Sequence, residues 1–287
     1  MGLISIVIPF NGNAQPFVDV LNLKYRWFPA NAPAENNGSR VTGSLEEVTF
    51  LLPIVTKSKN VILIGGDYSG LNFHASGPAS PIYSLHSASL QLGFDQQLKN
   101  PAWRRTFLFL PKLNGDFKGL SRSFQPGGVL MYTYKKNDNL KYHFGLYYNR
   151  ECFGDYYIPL LGIDWKINSS MNLFGDLPNN LSFEIKISHV MTIGTGFTST
   201  ISSFRIHSQD VISYIREGDN VLGHDQVKIY LNYYISKNIV LFGETGQTIN
   251  RKYTSYDNNG KTISSANIPT MDGIFLAGGV AYRFAVE

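Results

Sequence analysis

Three things are scarce in this sequence: cysteine, charge and long apolar runs. The chain of 287 residues has one cysteine, Cys152, which excludes an internal disulfide and a zinc site built from several cysteines. Charged residues make up 16% of the chain, against roughly 25% in an average soluble protein. No stretch reaches the ~18 apolar residues of a membrane-spanning helix, since even Val48 to Ile64 is interrupted by Lys57-Ser-Lys-Asn60. If this chain spans a membrane, it must do so as a β-barrel.

The usual signatures of catalysis and of nucleic-acid binding are also missing. The net charge is +4, but Lys and Arg are scattered, so no nucleic-acid partner is predicted. None of the six histidines pairs with a Glu and a second His at helical spacing, and Gly194-Thr-Gly196 lacks the third glycine of a dinucleotide fingerprint. His224-Asp225 is the one local hint of catalysis, but adjacent strand residues face opposite sides. We therefore predict no cofactor, no metal and no enzymatic activity.

Aromatic residues and glycine are abundant where charge is scarce. The chain contains 3 Trp, 17 Tyr, 19 Phe and 27 Gly. Membrane β-barrels use aromatic side chains as interfacial girdles and glycine where backbones crowd or bend. This balance favours an all-β chain and leaves one soluble alternative, a secreted β-sandwich that binds glycans through aromatic surfaces.

Residues alternate between apolar and polar along many segments. The last clear segment, Ile274–Phe284, places Leu276, Tyr282 and Phe284 on one parity and small or polar residues on the other. A strand that ends in an aromatic close to the chain end is typical of a membrane barrel. Comparable strands are predicted at Asp19–Trp27, Ser87–Asp95, Lys141–Asn149, Leu181–Ser188 and Gln226–Ile235.

The connections alternate in length. Short polar turns are predicted at Lys57–Asn60, Lys99–Pro101, Lys135–Asn139, Asn168–Ser170 and Ser236–Asn238. Longer segments rich in Gly, Asn and Ser are predicted at Ala30–Ser44, Ser69–Tyr83, Lys112–Gly128, Gln209–Gln226 and Tyr253–Asp272. This layout predicts a closed antiparallel transmembrane β-barrel of about 14 strands, with 12 and 16 as alternatives, short periplasmic turns and longer external loops. The apolar parity of the predicted strands carries almost no charge, as lipid contact requires.

The first residues have features of an export signal. A short apolar run leads to small residues at Gly12 and Ala14, the spacing that signal peptidase prefers. A basic segment before that run is missing, so residues 1–14 are predicted to be a truncated signal peptide, with a chance apolar leader as the alternative. Residues 15–287 are then one barrel domain.

Four segments resemble a family of outer-membrane β-barrels found mainly in Bacteroidota and known only as a domain of unknown function. They are Lys141-Tyr-His-Phe-Gly-Leu-Tyr-Tyr-Asn149, Gly162-Ile-Asp-Trp-Lys-Ile-Asn168, Met171-Asn-Leu-Phe-Gly-Asp-Leu-Pro178 and Tyr230-Leu-Asn-Tyr-Tyr-Ile-Ser-Lys-Asn238. The resemblance covers most of the chain after Gln15. It implies an exported protein located in the cell outer membrane, and it implies no activity and no functional residues.

The polar parity gives the candidate site, a set of residues predicted to line the barrel lumen. These residues are Lys24, Arg26, Asp95, Lys141, His143, Glu184, Lys186, Lys228, Glu244 and Arg283. Both signs occur with a basic excess, which predicts a weak preference for anions in an open pore, whereas in a narrower barrel the same charges would pair and plug it.

The predicted function is a non-enzymatic outer-membrane barrel, either a passive pore or a structural barrel whose loops dock a partner. A barrel enzyme acting on lipid or peptide and the secreted glycan-binding sandwich are the alternatives. The predicted partners are outer-membrane lipid and lipopolysaccharide, the barrel-assembly machinery and a small solute.

Overall fold

The computed structural model describes residues 17–29, 41–75, 83–117, 123–206, 211–217, 226–249, 251–256 and 272–285. Residues 1–14, the predicted signal peptide, lie outside these ranges, as do His224-Asp225 and most of the predicted loop Ala30–Ser44. The strands are β1 (Phe17–Phe28), β2 (Val41–Val55), β3 (Val61–Ala75), β4 (Tyr83–Gln97), β5 (Trp103–Phe109 and Lys112–Gly115), β6 (Phe124–Gln125 and Gly127–Asn137), β7 (Leu140–Glu151), β8 (Gly154–Lys166), β9 (Met171–Leu177), β10 (Asn180–Lys186), β11 (Met191–Thr198 and Thr200–Ile206), β12 (Val211–Glu217 and Gln226–Tyr234), β13 (Ile239–Thr248 and Arg251–Tyr256) and β14 (Ile274–Ala285).

The strands form one closed antiparallel sheet. Each strand pairs with the next along the chain, and β14 pairs with β1 in a ladder that runs from Phe17 opposite Ala285 to Trp27 opposite Leu276. The predicted all-β barrel of 14 strands is therefore confirmed. The alternative of a β-sandwich is wrong, because a closed sheet leaves neither two separate layers nor free edges. No helix in the described ranges is long and apolar enough to cross a membrane.

Side-chain alternation separates an apolar outer face from a polar inner face. On β4, Leu90 is 53% exposed and Phe94 is also exposed, whereas Ser89 and Asp95, one position away from each, are buried. On β12, Ile229 is exposed and Asn232 is buried. A period of two in the sequence thus becomes the two faces of the wall, as the pleat of a strand requires.

One end of the barrel, which we term the turn end, carries only short connections and both ends of the described chain. All five predicted short turns lie there, and a sixth joins β10 to β11. In the turn between β2 and β3, Thr56 N–H donates to Asn60 O at 2.8 Å and Lys59 N–H donates back to Thr56 O at 3.0 Å.

The opposite end, the loop end, departs from the predicted loop segments. Two of its connections are tight hairpins, between Glu151 and Gly154 and between Leu177 and Asn180. Gly154 has φ 127°, a conformation that favours glycine in such a turn. Parts of the predicted long loops are strand instead, including Lys112–Gly115 and Val211–Glu217. These strand ends lack an apolar parity, so the sequence pattern does not mark them.

Aromatic side chains bracket the apolar outer face. On β8, Tyr157 lies towards the loop end and Trp165 towards the turn end, and both are exposed. The two positions are about 26 Å apart along the strand at ~3.3 Å per residue, or about 20 Å along the axis for a tilt of about 40°. Leu161, between them on the same face, is 60% exposed. The band has the composition of the lipid-facing belt of a membrane barrel and approaches its height of about 25 Å.

Candidate functional site

The inner wall gathers the polar side chains and is the candidate functional site. They fall into three groups at successive levels, which we term the middle, turn-end and loop-end groups. The middle group is Lys24, Arg26, Glu47, Lys228 and Glu244. The turn-end group is Asp95, Arg104, Lys141, His143, Asp164 and Asp176. The loop-end group is Asn114, Gln125, Asn149, Glu151 and Ser203.

The middle group is an ion-pair chain with residues on β12, β13, β1 and β2; β14, which lies between β13 and β1, contributes none. Lys24 Nζ lies 2.7 Å from Glu47 Oε2, and Lys228 Nζ lies 2.7 Å from Glu244 Oε2. Arg26 Nη2 lies between the two carboxylates, 3.7 Å from Glu47 Oε2 and 3.4 Å from Glu244 Oε1. Arg26 is only 6% exposed, so pairing offsets the cost of removing its charge from water. The two carboxylates therefore offset two of the three positive charges of this group.

Asp95 anchors the first half of the turn-end group. Arg104 Nε donates to Asp95 Oδ1 at 2.6 Å, and the Thr106 hydroxyl donates to Asp95 Oδ2 at 2.6 Å. Arg104 also donates to Gln97 Oε1 at 2.9 Å and to the Lys59 carbonyl at 3.1 Å. One guanidinium thus ties β5 to β4 and to the β2–β3 turn.

His143 is held between two carboxylates in the second half of this group. Its Nδ1 lies 2.8 Å from Asp176 Oδ1 on β9, and its Nε2 lies 3.4 Å from Asp164 Oδ2 on β8. Both ring nitrogens therefore face acceptors, an arrangement that favours the doubly protonated ring. No cluster of metal-ligating side chains occurs within the described part of the chain.

The turn-end group surrounds a cavity of ≈ 810 Å³. The lining includes Asp95, Arg104 and His143 from the strands, and Lys59 and Pro101 from the turns. The cavity therefore extends to the turn end of the barrel, and its walls carry charges of both signs.

A bidentate ion pair closes the seam between the first and last strands. Arg283 Nε donates to Asp19 Oδ1 at 2.5 Å, and Nη2 donates to Asp19 Oδ2 at 3.0 Å. The guanidinium also lies over the Phe17 ring, 3.4 Å from its centroid. This geometry suits Arg in particular, because its planar fork matches a carboxylate.

The loop-end group is a hydrogen-bonded network around one buried carboxylate. Glu151 accepts from the Ser203 hydroxyl at 2.5 Å, from the Ser203 N–H at 3.0 Å and from Asn149 Nδ2 at 2.6 Å. Gln125 Nε2 donates to the Ser203 carbonyl at 3.0 Å, and Asn114 Nδ2 donates to Gln125 Oε1 at 3.0 Å. The four neutral residues and Glu151 are all buried, so the group fills this part of the lumen.

The loop-end group depends on a strand that crosses the barrel. Beyond Ser199, β11 no longer pairs with β10, and its outer segment reaches β5, although five strands of the wall lie between them. Arg205 forms a parallel bridge with Gly115, and Asp116 N–H donates to Arg205 O at 3.1 Å. A Cβ at residue 115 would collide with the Arg205 carbonyl oxygen, so glycine permits this close approach. The contact constricts the loop end.

The structure places nine of the ten predicted lumen residues in the inner wall, with Lys186 as the exception. Lys186 shares the parity of buried Glu184, but it is exposed beside the β10–β11 turn. Glu184 accepts from Asn232 Nδ2 at 3.2 Å. The remaining eight are Lys24, Arg26, Asp95, Lys141, His143, Lys228, Glu244 and Arg283.

Carboxylates that we did not single out in the sequence change the charge balance of the wall. Glu47, Asp164 and Asp176 pair with predicted basic residues, and Glu151 lies at the loop end. These acids offset much of the predicted basic excess, whereas Arg104 of the turn-end group, which was also not predicted, adds to it. Parity could have identified Asp164, which lies between two residues of the apolar face, but only the fold brings Glu151 to Ser203.

Residues 55–278 match the family model described as Domain of unknown function (DUF6268). Among solved structures, the chain is similar to an outer membrane channel from Pseudomonas putida F1, with 8% identity, a TM-score of 0.48, and 97% of this chain and 100% of that chain covered. It is also similar to the NanC porin, with 8% identity, a TM-score of 0.37 and coverage of 91% and 98%. Outer membrane phospholipase A from Escherichia coli gives 12% identity, a TM-score of 0.36 and coverage of 94% of each chain. A comparison with curated protein sequences gives no match. The closed barrel is shown by the strand pairing of this chain itself.

Proposed function

This chain belongs to the DUF6268 family, a domain of unknown function, and we propose that it is an outer-membrane β-barrel that acts as a passive channel for small polar solutes. The observation that carries the proposal is the contrast between the two faces of one closed wall. Outside, large apolar side chains face the surroundings; inside, charged side chains line a cavity of ≈ 810 Å³.

Membrane placement is supported by the outer face. Phe107, Leu161 and Ile229 are each more than half exposed, on strands spread around the barrel. An apolar belt of this extent would drive a protein to aggregate in water, whereas lipid accommodates it. A closed sheet also satisfies every backbone hydrogen bond within the hydrocarbon, which offers no partners. Outer-membrane lipid, lipopolysaccharide and the barrel-assembly machinery remain the proposed partners, and the Bacteroidota source remains a prediction.

Conduction is supported by the inner wall, and the loop-end constriction limits it. Charges of both signs line the cavity as pairs, so the wall has no dominant sign. We therefore expect a small conductance with weak ion selectivity, in place of the anion preference inferred from the sequence.

Two adjacent residues on β4 test membrane placement. Leu90→Arg puts a charge on the lipid face, with an expected cost of about 2–4 kcal/mol near the bilayer midplane. Gln91→Arg puts the same charge into the cavity, where Gln91 forms part of the lining. Membrane fractionation and heat-dependent gel mobility should show a lower folded yield for Leu90→Arg than for Gln91→Arg. Equal yields would contradict the assignment of the outer face to lipid.

Planar-bilayer recording tests conduction. The purified protein, shown to be folded by heat-dependent mobility, should give discrete conductance steps in a KCl gradient with a reversal potential near zero. A correctly inserted protein that gives no steps would refute the channel and leave a structural barrel.

A further inference from the structure

A serine, a histidine and a tyrosine lie in contact on the outer face at the loop end, away from the inner wall. Ser84 Oγ is 3.2 Å from His86 Nε2, and Tyr68 OH is 2.9 Å from His86 Nδ1. Ser84 and His86 have the same parity as Leu90 on β4, and Tyr68 has the same parity as the exposed Ile64 on β3. The cluster therefore faces outward, above the apolar belt.

This is the arrangement that activates a serine nucleophile. Catalysis needs a hydroxyl within hydrogen-bond reach of a base, and a third group that orients the base through its other nitrogen. If Tyr68 accepts from His86 Nδ1–H, the lone pair of Nε2 faces Ser84. The Ser84 hydroxyl also donates to Asn72 Oδ1 at 2.8 Å, and rotation about its C–O bond redirects the proton to His86.

The base is held by packing as well as by hydrogen bonds. The His86 ring stacks on Tyr68, with centroids 6.1 Å apart and an interplanar angle of 18°, and lies 5.3 Å from the Phe117 ring. Phe117 has φ 56°, a strained conformation for a residue with a side chain. Gly70 lies under the Tyr68–His86 contact, where an added Cβ would come within 3.3 Å of the tyrosine oxygen. A fixed imidazole is what a catalytic base requires.

We propose that Ser84 and His86 hydrolyse acyl esters of membrane lipids at the loop end of the barrel. The position of the cluster argues for this substrate. Leu90 of the apolar face is about 13 Å from His86 and about 20 Å from Ser84 along β4 at ~3.3 Å per residue. Acyl chains packed beside Leu90 and Leu92 would place the ester bonds of a lipid at the level of the serine.

The chemistry balances without a cofactor. Ser84 Oγ attacks the ester carbonyl carbon while His86 Nε2 takes the hydroxyl proton, and the bond from the acyl carbon to the alcohol oxygen breaks as that proton passes to the alcohol. Water then attacks the acyl-serine, His86 takes its proton and returns it to Ser84 Oγ, and a fatty acid leaves. Asn72, whose side-chain amide carries two N–H donors, is the neighbour suited to bind the carbonyl oxygen.

The first experiment needs no variant. The purified full chain, folded in detergent, is treated with a biotinylated fluorophosphonate, and the labelled peptide is identified by mass spectrometry. We expect a covalent adduct on Ser84. Absence of that adduct in folded protein, as judged by heat-dependent mobility, would overturn the proposal. This proposal rests on the membrane placement proposed above and is independent of the channel activity. Membrane fractionation tests the placement, bilayer conductance tests the channel, and the fluorophosphonate adduct tests the esterase, so the failure of one can be told from the failure of another.

The second experiment measures fatty acid released from dioleoyl phosphatidylcholine in mixed micelles. Ser84→Ala and His86→Asn should each lower release by at least about 100-fold, the usual contribution of a nucleophile or general base. Ser69→Ala, on the inward parity of neighbouring β3, is the matched control and should keep full activity. Release that survives Ser84→Ala, or cleavage of a casein substrate without lipid hydrolysis, would overturn the proposal.

Tyr68 is assigned a positioning role. Tyr68→Phe keeps the ring packing and removes the hydrogen bond to His86, so kcat should fall about fivefold, the rate equivalent of one neutral hydrogen bond. The pH profile of kcat/KM should also move, because the base has lost the partner of its second nitrogen. An unchanged profile would show that Tyr68 does not orient His86. The predicted absence of enzymatic activity is tested by the same measurements.

Discussion

The two ends of the lumen accommodate their polar side chains in different ways. At the turn end, Asp95, Arg104 and His143 face a cavity that reaches the turns. At the loop end, Glu151 is enclosed by hydrogen-bond donors and the space is filled. Water within a cavity can solvate charges, whereas a filled site must provide every partner from the protein. We therefore expect substitution of a charge that faces the cavity, such as Lys141, to cost less stability than substitution of the enclosed Glu151.

The difference begins with strand length. β9 and β10 are joined by a tight hairpin, so the wall between β8 and β11 is low at the loop end. The outer segment of β11 has no β10 neighbour beyond Thr198 and crosses to Gly115 of β5. The lumen thus narrows from the turn end to the loop end. The backbone of β11 at Arg205 and the side chains of the loop-end group both contribute to the narrowing.

The largest effect on stability is expected at the seam, which belongs to the turn-end half. Arg283→Met leaves Asp19 without its bidentate partner, and breaking a buried pair from one side typically costs about 3–5 kcal/mol. Because the Asp19 side chain is partly exposed, the lower part of that range is expected. The measurement is the urea concentration at which heat-dependent mobility is lost.

Arg105→Met is the matched control for the seam, since Arg105 is exposed and lies outside it. The double variant Asp19→Leu with Arg283→Met should recover part of the lost stability, because it leaves no unpaired charge. If Arg283→Met and Arg105→Met unfold at the same urea concentration, the seam pair does not hold the barrel closed.

A smaller loss of stability, with a gain in conductance, is expected at the loop end. Glu151→Ala leaves the Ser203 hydroxyl and N–H and the Asn149 amide without their acceptor, at a cost of about 1–3 kcal/mol. The outer segment of β11 also loses an anchor, so the constriction should widen and single-channel conductance should rise. Arg150→Ala, one residue away on the exposed face of β7, should change neither quantity. An unchanged conductance in Glu151→Ala would show that this network does not limit the pore.

The sequence predicted the wall better than it predicted the lumen. Alternation at Ser87–Asp95 and polar runs such as Lys57–Asn60 are local signals, and both the strand and the turn are confirmed. Inward parity also located most of the charged wall, because lipid contact excludes charge from the other face. No local sequence pattern predicts the contact between Arg205 and Gly115, because the two residues are 90 positions apart and their strands are not neighbours in the sheet.

The sequence did not predict the cluster of Ser84, His86 and Tyr68 on the outer face, for a related reason. Ser84 and His86 lie two residues apart at the loop end of β4, whereas the apolar alternation of that strand lies nearer the turn end. On the neighbouring strand β3, residues from Ser69 onwards were predicted to be a loop (Ser69–Tyr83), so no strand neighbour was expected there. Only strand pairing, which places Gly70 opposite His86, brings Tyr68 and Asn72 to the same spot. A pairwise register cannot be derived from either strand alone.

The smallest expected effect is on ion selectivity, and it separates a true lumen residue from an exposed one. Lys141 lines the cavity at the turn end, whereas Lys186, also predicted to line the lumen, is exposed at the same end. Lys141→Glu should shift the reversal potential towards cations, because it tips a balanced wall to net negative charge; Lys186→Glu should shift it much less. Raising the salt to about 1 M should remove most of the Lys141→Glu shift, since screening then acts over ~3 Å. Equal shifts in both variants would mean that selectivity is set at the mouth of the barrel, outside the paired charges of the cavity, and the contrast between the two ends would then concern stability alone.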